Sequence, residues 1–135
     1  MTRPKDWSPV ELESDPVSGD PEAVAKLGRR FRAVADAIRK QAGNISALCE
    51  VEGWQSDAAD EFRKVADGTA GRLKKVMDRY GTAADVLGEQ SEQPDQKYAS
   101  VLASSQKSAD KARNDAEADR DEKDRLERLI DSLDE

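Results

Sequence analysis

The chain contains no histidine, one cysteine and only 4% aromatic residues. Without histidine it lacks the usual general base and the commonest metal ligand, and a single thiolate cannot build a metal site of the zinc-finger type. It also has no Gly-rich phosphate loop with a lysine, no Gly-x-Ser-x-Gly nucleophile turn and no EF-hand spacing. Its carboxylates are abundant but spread along the chain. We therefore expect that the protein is not an enzyme and that it has no cofactor and no metal site.

Long apolar runs are missing as well, so nothing in the sequence approaches membrane-spanning length. Residues 1–19 are polar and hold three prolines, which does not fit a secretory signal peptide. Membrane insertion is not expected, and any export must proceed without a cleavable signal peptide. Cys49 has no internal disulfide partner and does not report the redox compartment. We interpret it as a small apolar residue at the end of a helix, with a reactive thiol as the alternative.

Charge is plentiful and mostly negative. The 135 residues include 22 basic and 29 acidic side chains, a net charge of -7, and 38% of the chain is charged against 36% hydrophobic. No basic cluster stands clear of neighbouring acids, which argues against binding to nucleic acid or to anionic membranes. The composition and length indicate one helical domain, or a domain plus an extension.

Apolar residues recur at heptad spacing between Pro21 and Cys49. One position of the repeat holds Val24, Phe31, Ile38 and Ile45, and a second holds Leu27, Val34 and Leu48, interrupted by Gln41. This pattern predicts an amphipathic helix with a narrow apolar seam. Gln41 either faces solvent or fixes the register of the seam. Asp20, Pro21 and Glu22 provide a capping oxygen, a preset φ and an acid where the helix dipole favours one.

A second repeat runs from Asp57 to Gln90. Its first position holds Ala59, Ala66, Leu73, Tyr80 and Leu87, and its second holds Phe62, Thr69, Val76 and Ala83. Ser56 can cap this helix, and Gly53 allows the backbone to turn before it. Gly68 and Gly71 suggest either a close helix approach or a tolerated weak spot. Two seams of similar length joined by a short turn predict an antiparallel helical hairpin over residues 21–49 and 57–90.

The turn carries the most distinctive residues of the chain. Gly53-Trp54-x-Ser56 lies between the two heptad segments and is followed by Ala58-Ala59-x-x-Phe62. This arrangement resembles the tip of the WXG proteins, the small helical hairpins exported by type VII secretion systems of Gram-positive bacteria. Asp6-Trp7-Ser8-Pro9 and the stretch from Asp15 to Pro21 resemble the leader of large toxins assigned to that route. The resemblance covers roughly residues 6–90.

This resemblance implies a coiled-coil hairpin that stays in the cytoplasm before export and is then secreted. It implies recognition of the secretion machinery or a partner through Gly53, Trp54, Ser56, Phe62 and Trp7. Family members usually have Gly where this chain has Ser56, and often carry Tyr-x-x-x-Asp/Glu after the second helix. Here Tyr80 is followed four positions later by Ala84 and Tyr98 by Leu102, so that export signal is absent in its standard form.

The chain outside the hairpin divides into a leader and an extension. Residues 1–20 are expected to be extended, either as a disordered leader or with Trp7 docked on the hairpin. Residues 91–135 are expected to hold a charged third helix from about Asp95 to Leu133, because Pro94 suits a first turn; a kink in one continuous helix is the alternative. Asp119 and Lys123 interrupt its apolar stripe, which indicates a solvated face with i to i+4 charge pairs.

The sequence thus predicts an all-α interaction module rather than a catalyst. A hairpin of this size with a narrow seam is marginal alone. We expect protein partners: self-association or a related helical hairpin, and a secretion ATPase. In toxins such a module precedes a catalytic domain, so the chain is expected to be a small secretion substrate or the N-terminal part of a larger secreted toxin. The alternative is a structural coiled-coil spacer or assembly adaptor in which the third helix is the working part.

Overall fold

A computed structural model describes residues 2–134 of the chain. Over this range the protein is helical and contains no β-strand. Helix α1 spans Pro21–Cys49, α2 spans Asp57–Leu87 and α3 spans Tyr98–Leu133, and a 3₁₀ turn occupies Ser8–Val10. Helices α1 and α2 pack against each other as a hairpin, and α3 follows them along the chain. The predicted fold class is confirmed.

Two compact units make up the chain. The hairpin unit runs from Pro21 to Ser100 and contains α1, α2 and the first turn of α3. The leader unit combines the residues up to Asp20 with those from Val101 onward, which form the rest of α3. The N-terminal segment is therefore part of the same compact unit as most of the third helix, although they stand at opposite ends of the sequence.

Local signals explain where the helices end. Helix α1 begins at Pro21 with Glu22 in its first turn, as predicted. Helix α2 ends at Leu87, where the N–H of Gly88 donates to the carbonyl of Ala84 at 2.9 Å. The third helix begins at Tyr98, three residues later than expected, and Pro94 lies in the preceding loop.

Asp95 accounts for this later start. Its carboxylate accepts the backbone N–H of Lys97 at 3.0 Å, a local side-chain bond that competes with helix formation. Interaction with Ser100 and, to a smaller extent, the hydrogen bond from the Lys97 backbone lower the pKa of Asp95 below its ordinary value. The Ser100 hydroxyl donates to the carbonyl of Gln90 at 2.9 Å, which ties the first turn of α3 to the loop.

Small residues form the tightly buried centre of the hairpin. The buried positions in α1 and α2 are all alanine or glycine: Ala25, Gly28, Ala35, Ala59, Ala66 and Ala84. The larger residues of the first heptad position, such as Phe31 and Tyr80, are half-buried and meet edge to face with ring centroids 5.4 Å apart. The helices therefore approach each other through small side chains, with larger ones around them.

The closest approach occurs at Gly28. A Cβ atom there would lie 2.0 Å from the carbonyl oxygen of Gly88, which no side chain can tolerate without movement. Gly88 itself has φ 82°, in the left-handed region that favours glycine, and a Cβ there would meet Lys97 Cβ at 2.6 Å. By contrast, Cβ atoms added at Gly68 and Gly71 would meet nothing within 4 Å. Gly68 and Gly71 therefore do not mark a close helix approach, and they fit the alternative of tolerated positions of low helix propensity.

The second heptad position does not lie in the interface as expected. Leu27, Val34 and Val76 are 40%, 38% and 37% exposed. The buried side of each helix instead includes the positions that lie four residues after the first heptad position. Gly28, Ala35 and Ala84 are examples. The physical reason is size, because glycine and alanine allow the close backbone approach that Leu and Val would prevent. The displaced apolar residues lie along the edge of the interface.

One of these residues, Leu27, borders an apolar groove of about 700 Å³ between α1 and α2. Leu27 and Phe31 line it from α1, and Ala83, Val86 and Leu87 line it from α2. We call the side formed by Leu27, Phe31, Val34, Val76, Ala83 and Val86 the open face. On another part of the hairpin surface Arg32 pairs with Asp85, and Arg29 donates to the carbonyl of Glu89 at 2.7 Å. The hairpin is thus amphipathic as a whole.

Gly28→Ala is expected to destabilise the hairpin by about 1–3 kcal/mol, the usual cost of overpacking, because the added methyl group must displace the Gly88 backbone. Gly71→Ala provides the matched control in a helix interior with free space. It should stabilise the protein by about 0.5–1 kcal/mol through the lower entropy of the unfolded chain. Urea unfolding followed by circular dichroism measures both. If both substitutions changed the free energy of unfolding in the same direction, the close approach of Gly28 to the Gly88 backbone would be contradicted.

Candidate functional site

The hairpin tip begins where α1 ends at Cys49 and is completed by the start of α2 at Asp57. Gly53 has φ 79°, so the turn uses the left-handed conformation that glycine adopts most readily. Ser56 is the N-cap of α2, and its hydroxyl oxygen accepts the backbone N–H of Ala59 at 3.0 Å. This is the capping role that the sequence predicted for Ser56. Asp57 and Asp60 place negative charge in the first turn.

Two aromatic rings pack together at this tip. Trp54 and Phe62 have ring centroids 5.2 Å apart with planes tilted by 50°. Both side chains remain partly exposed, at 36% for Trp54 and 37% for Phe62. Trp54 is therefore neither a buried plug nor a free side chain, because it is packed on one side and open on the other. The structure brings together the four tip residues singled out from the sequence: Gly53, Trp54, Ser56 and Phe62.

Arg63 organises the tip, and the sequence analysis did not identify it. Its Nε donates to the carbonyl of Cys49 at 3.1 Å and its Nη2 to the carbonyl of Trp54 at 2.6 Å. The guanidinium carbon lies 5.6 Å from the centre of a Trp54 ring, within cation–π range, and Nη1 pairs with Asp60 at 3.2 Å. The only sequence signal was an Asp–Arg pair at i,i+3 on α2, which is typical of an ordinary surface helix.

Trp7 belongs to the leader unit and not to the unit that contains the tip. It is 2% exposed, and among the described residues it is the largest side chain buried to that degree. Its indole N–H donates to the carbonyl of Pro4 at 3.1 Å, and the Arg3 guanidinium lies 5.8 Å from the centre of a Trp7 ring. The leader packs around this tryptophan within its own unit.

Arg3 links two carboxylates on distant parts of the sequence. Its Nη2 donates to Asp110 at 2.9 Å and to Asp15 at 3.1 Å, and its Nη1 donates to the carbonyl of Val17 at 2.8 Å. Hydrogen bonding to Asp110 is the main cause that raises the pKa of Arg3 above its ordinary value, and Asp15 adds to it. The planar guanidinium fork suits this arrangement because it presents several donors in fixed directions.

Two buried polar side chains of α3 hold the leader backbone. Gln106 Nε2 donates to the carbonyls of Val17 at 3.1 Å and Gly19 at 2.8 Å. Arg113 Nε donates to the carbonyl of Asp6 at 2.8 Å, and its Nη1 pairs with Glu117. The sequence analysis missed this face of α3 because Gln and Arg in a charged helix look like solvent-facing residues. Beyond residue 117 the described part of α3 is exposed, including Asp119 and Lys123.

The groups described above are suited to non-covalent contacts. Within residues 2–134 no group of three or more Cys, Asp or Glu side chains is placed to hold a metal ion. None of the helices in that range is both long and apolar enough to cross a membrane. Cys49 is half-buried at the end of α1, and its carbonyl is held by Arg63. The tip offers exposed aromatic rings and the open face offers an apolar groove.

Comparisons with known proteins identify no relative of this chain. No protein-family model, curated protein or solved structure shows a significant match to this chain.

Asp110→Asn is expected to loosen the leader in a Trp54→Phe background, in which Trp7 is the sole tryptophan emitter. The substitution removes the charge that Arg3 pairs with, and hydrogen bonds to ionised groups contribute about 1.5–3 kcal/mol. Acrylamide should quench Trp7 weakly before the substitution and more strongly after it. Asp115→Asn, which breaks an exposed pair with Lys111, should leave quenching unchanged. Equal quenching in all three proteins would contradict a role of Asp110 in holding the leader.

Proposed function

We propose that this chain is a secretion-targeting and interaction module of the WXG type, either a small type VII secretion substrate or the N-terminal part of a larger secreted toxin. The observation that carries the proposal is the open face, where an apolar groove lies between the helices and where Leu27, Val34 and Val76 are each more than a third exposed. The resemblance of Gly53, Trp54, Ser56 and Phe62 to the WXG tip supplies the secretion route.

The open face supports binding to a second helical hairpin. An interface centred on alanine and glycine buries little apolar area, so the hairpin gains less stability than one packed through Leu and Val. A second hairpin laid on the open face would bury Leu27, Val34 and Val76 and complete a four-helix bundle. The partner is a second copy of this chain or a related hairpin. The proposed route also brings the chain to a secretion ATPase.

The charge of the chain favours protein partners over nucleic acid. With a net charge of -7 the chain would be repelled by phosphate backbones, whose affinity for proteins depends on Lys and Arg contacts. Protein recognition through apolar surface carries no such penalty. We therefore include neither nucleic acid nor membrane insertion in the proposed function.

A structural spacer or assembly adaptor is the second candidate, and one observation favours it. Leu126, Leu129, Ile130 and Leu133 recur at helical spacing on α3 and are all exposed. Such a stripe on a long charged helix suits pairing with another helix. In that case α3 would be the working part of the protein and Trp54 would be incidental.

An export assay separates the two candidates. The tagged chain is expressed in a type VII-competent Gram-positive host with and without its secretion ATPase, and the culture medium is assayed. The proposal expects export to be lost in the ATPase deletion. Trp54→Ala should lower export while circular dichroism still reports a helical chain, whereas Leu133→Ala on α3 should leave export unchanged. Equal amounts of chain in the medium of both strains would reject the secretion route.

Val34→Glu is expected to abolish association through the open face without unfolding the hairpin, because Val34 is 38% exposed and a carboxylate there can reach water. Ala33→Glu introduces the same charge on the adjacent exposed position, which points away from α2, and should leave association unchanged. Analytical ultracentrifugation over a range of concentrations measures self-association. Co-purification with a co-expressed related hairpin measures binding to that hairpin. Identical behaviour of the two variants would remove the open face from the proposal.

A further inference from the structure

The hairpin tip exposes more apolar surface than a turn needs. Leu48, Val51, Trp54, Phe62 and Val65 are each between 36% and 65% exposed, and they lie within a short stretch on either side of the turn. We call these five residues the tip patch. A turn that serves only to connect two helices is normally built from polar residues, glycine and proline. A clustered apolar patch of this kind marks an interaction site.

The tip patch is held in a fixed shape by Arg63. The guanidinium bonds the last carbonyl of α1 and the carbonyl of Trp54, and it stacks over the Trp54 ring. Phe62 supports the same indole ring, with centroids 5.2 Å apart. One side chain of α2 therefore ties the end of α1 to the turn and sets the direction of the exposed aromatic ring. A preset ring loses less conformational entropy on binding than a mobile one.

Carboxylates flank the tip patch along the chain. Between residues 48 and 66 the chain carries five acidic side chains, Glu50, Glu52, Asp57, Asp60 and Glu61, against two basic ones, Arg63 and Lys64. Both basic groups are engaged within the tip, Arg63 with Asp60 and backbone carbonyls and Lys64 with Glu61 at 3.4 Å. Glu50, Glu52 and Asp57 are exposed. The tip patch is thus apolar and flanked by exposed carboxylates, which we call its acidic rim.

We propose that the tip patch docks into an apolar pocket rimmed by Lys and Arg on a protein partner, and that Arg63 is the positioning residue that presents Trp54 to it. The inference deepens the proposed function, on which it rests, by assigning the chemistry of the surface that recognises the tip. The basic rim follows from charge complementarity, which favours encounter with a positive surface and disfavours a negative one. The apolar pocket follows from the exposed indole and phenyl rings, which make strong anchors when desolvated.

Site-specific photocrosslinking tests the docking surface in the full chain. A benzophenone amino acid replaces Val65, which is 65% exposed and can change without disturbing the core. The chain is expressed in the type VII-competent host, irradiated, and the crosslinked protein is identified by mass spectrometry and purified. We expect one dominant protein whose crosslinked segment is an apolar pocket with Lys and Arg at its edge. A crosslink to an acidic surface, to lipid only, or to no protein would overturn the inference.

Charge reversal then tests the rim against the purified partner. The double change Glu50→Lys and Glu52→Lys should weaken binding by about tenfold or more, because it sets like charges against each other. Asp119→Lys with Asp121→Lys makes the same change in charge at the same spacing on exposed positions of α3, and should leave affinity unchanged. Added salt should weaken the native complex and should not weaken the reversed one further. Equal affinity of both double variants would reject the acidic rim.

Arg63 variants test positioning separately from folding. Arg63→Lys keeps the charge but loses the planar fork that bonds two carbonyls, so it should bind the partner about as poorly as Arg63→Gln. Both should remain helical by circular dichroism. Full binding by Arg63→Lys would show that only charge matters and would remove the positioning role. Equal export with and without the secretion ATPase, together with an intact tip crosslink, would reject the secretion proposal and leave the docking surface standing.

Discussion

The close contact between Gly28 of α1 and the carbonyl of Gly88 after α2 is the constraint on which the hairpin depends. No side chain fits at this contact, and the buried positions of both helices are all alanine or glycine. Close-packed interiors cannot absorb extra volume locally, so the larger apolar residues are pushed to the edge. The open face consists of larger apolar residues that remain partly exposed beside these small ones. A surface of this kind explains why a partner is expected.

The leader unit is held together mainly by hydrogen bonds and not by the packing of two helices. Its N-terminal segment has three prolines, which lack an N–H and prevent regular backbone pairing, so its carbonyls need donors from elsewhere. Gln106 and Arg113 of α3 supply them, and Arg3 adds a charged clamp between Asp15 and Asp110. Apolar burial is concentrated in one residue, Trp7. Directional hydrogen bonds around a single aromatic anchor thus order a segment that could not form a core by itself.

The two tryptophans have opposite environments, and this difference bears on function. Trp7 is enclosed within the leader unit, where burying an indole contributes to stability. Trp54 is supported from one side by Phe62 and Arg63 and open on the other. Arg63 uses its charge on carbonyls and on Asp60, so the surface around Trp54 stays acidic. An anchored but exposed aromatic ring within an acidic rim is suited to recognition rather than to core packing.

The sequence alone determined the elements of the hairpin, because their signals are local. Heptad spacing, Pro21 at a first turn and Ser56 as a cap act within a few residues of themselves. The structure has α1, the turn and the start of α2 where those signals placed them, whereas α2 ends at Leu87 and not at the predicted residue 90. Trp54 and Phe62 were found in the same way. The third helix was also expected, although the Asp95 side-chain bond delays its start to Tyr98.

Only the tertiary structure decided which face of each helix is buried. The heptad pattern could not show that Gly28 and Ala35 would displace Leu27 and Val34 from the interface, because that outcome depends on how closely two backbones approach. It could not assign roles to Gln106, Arg113 or Arg63 either, since their partners are carbonyl groups, which every residue carries and no sequence pattern distinguishes. Pairing between positions about a hundred residues apart, such as Arg3 with Asp110, is set by the fold and leaves no local signal.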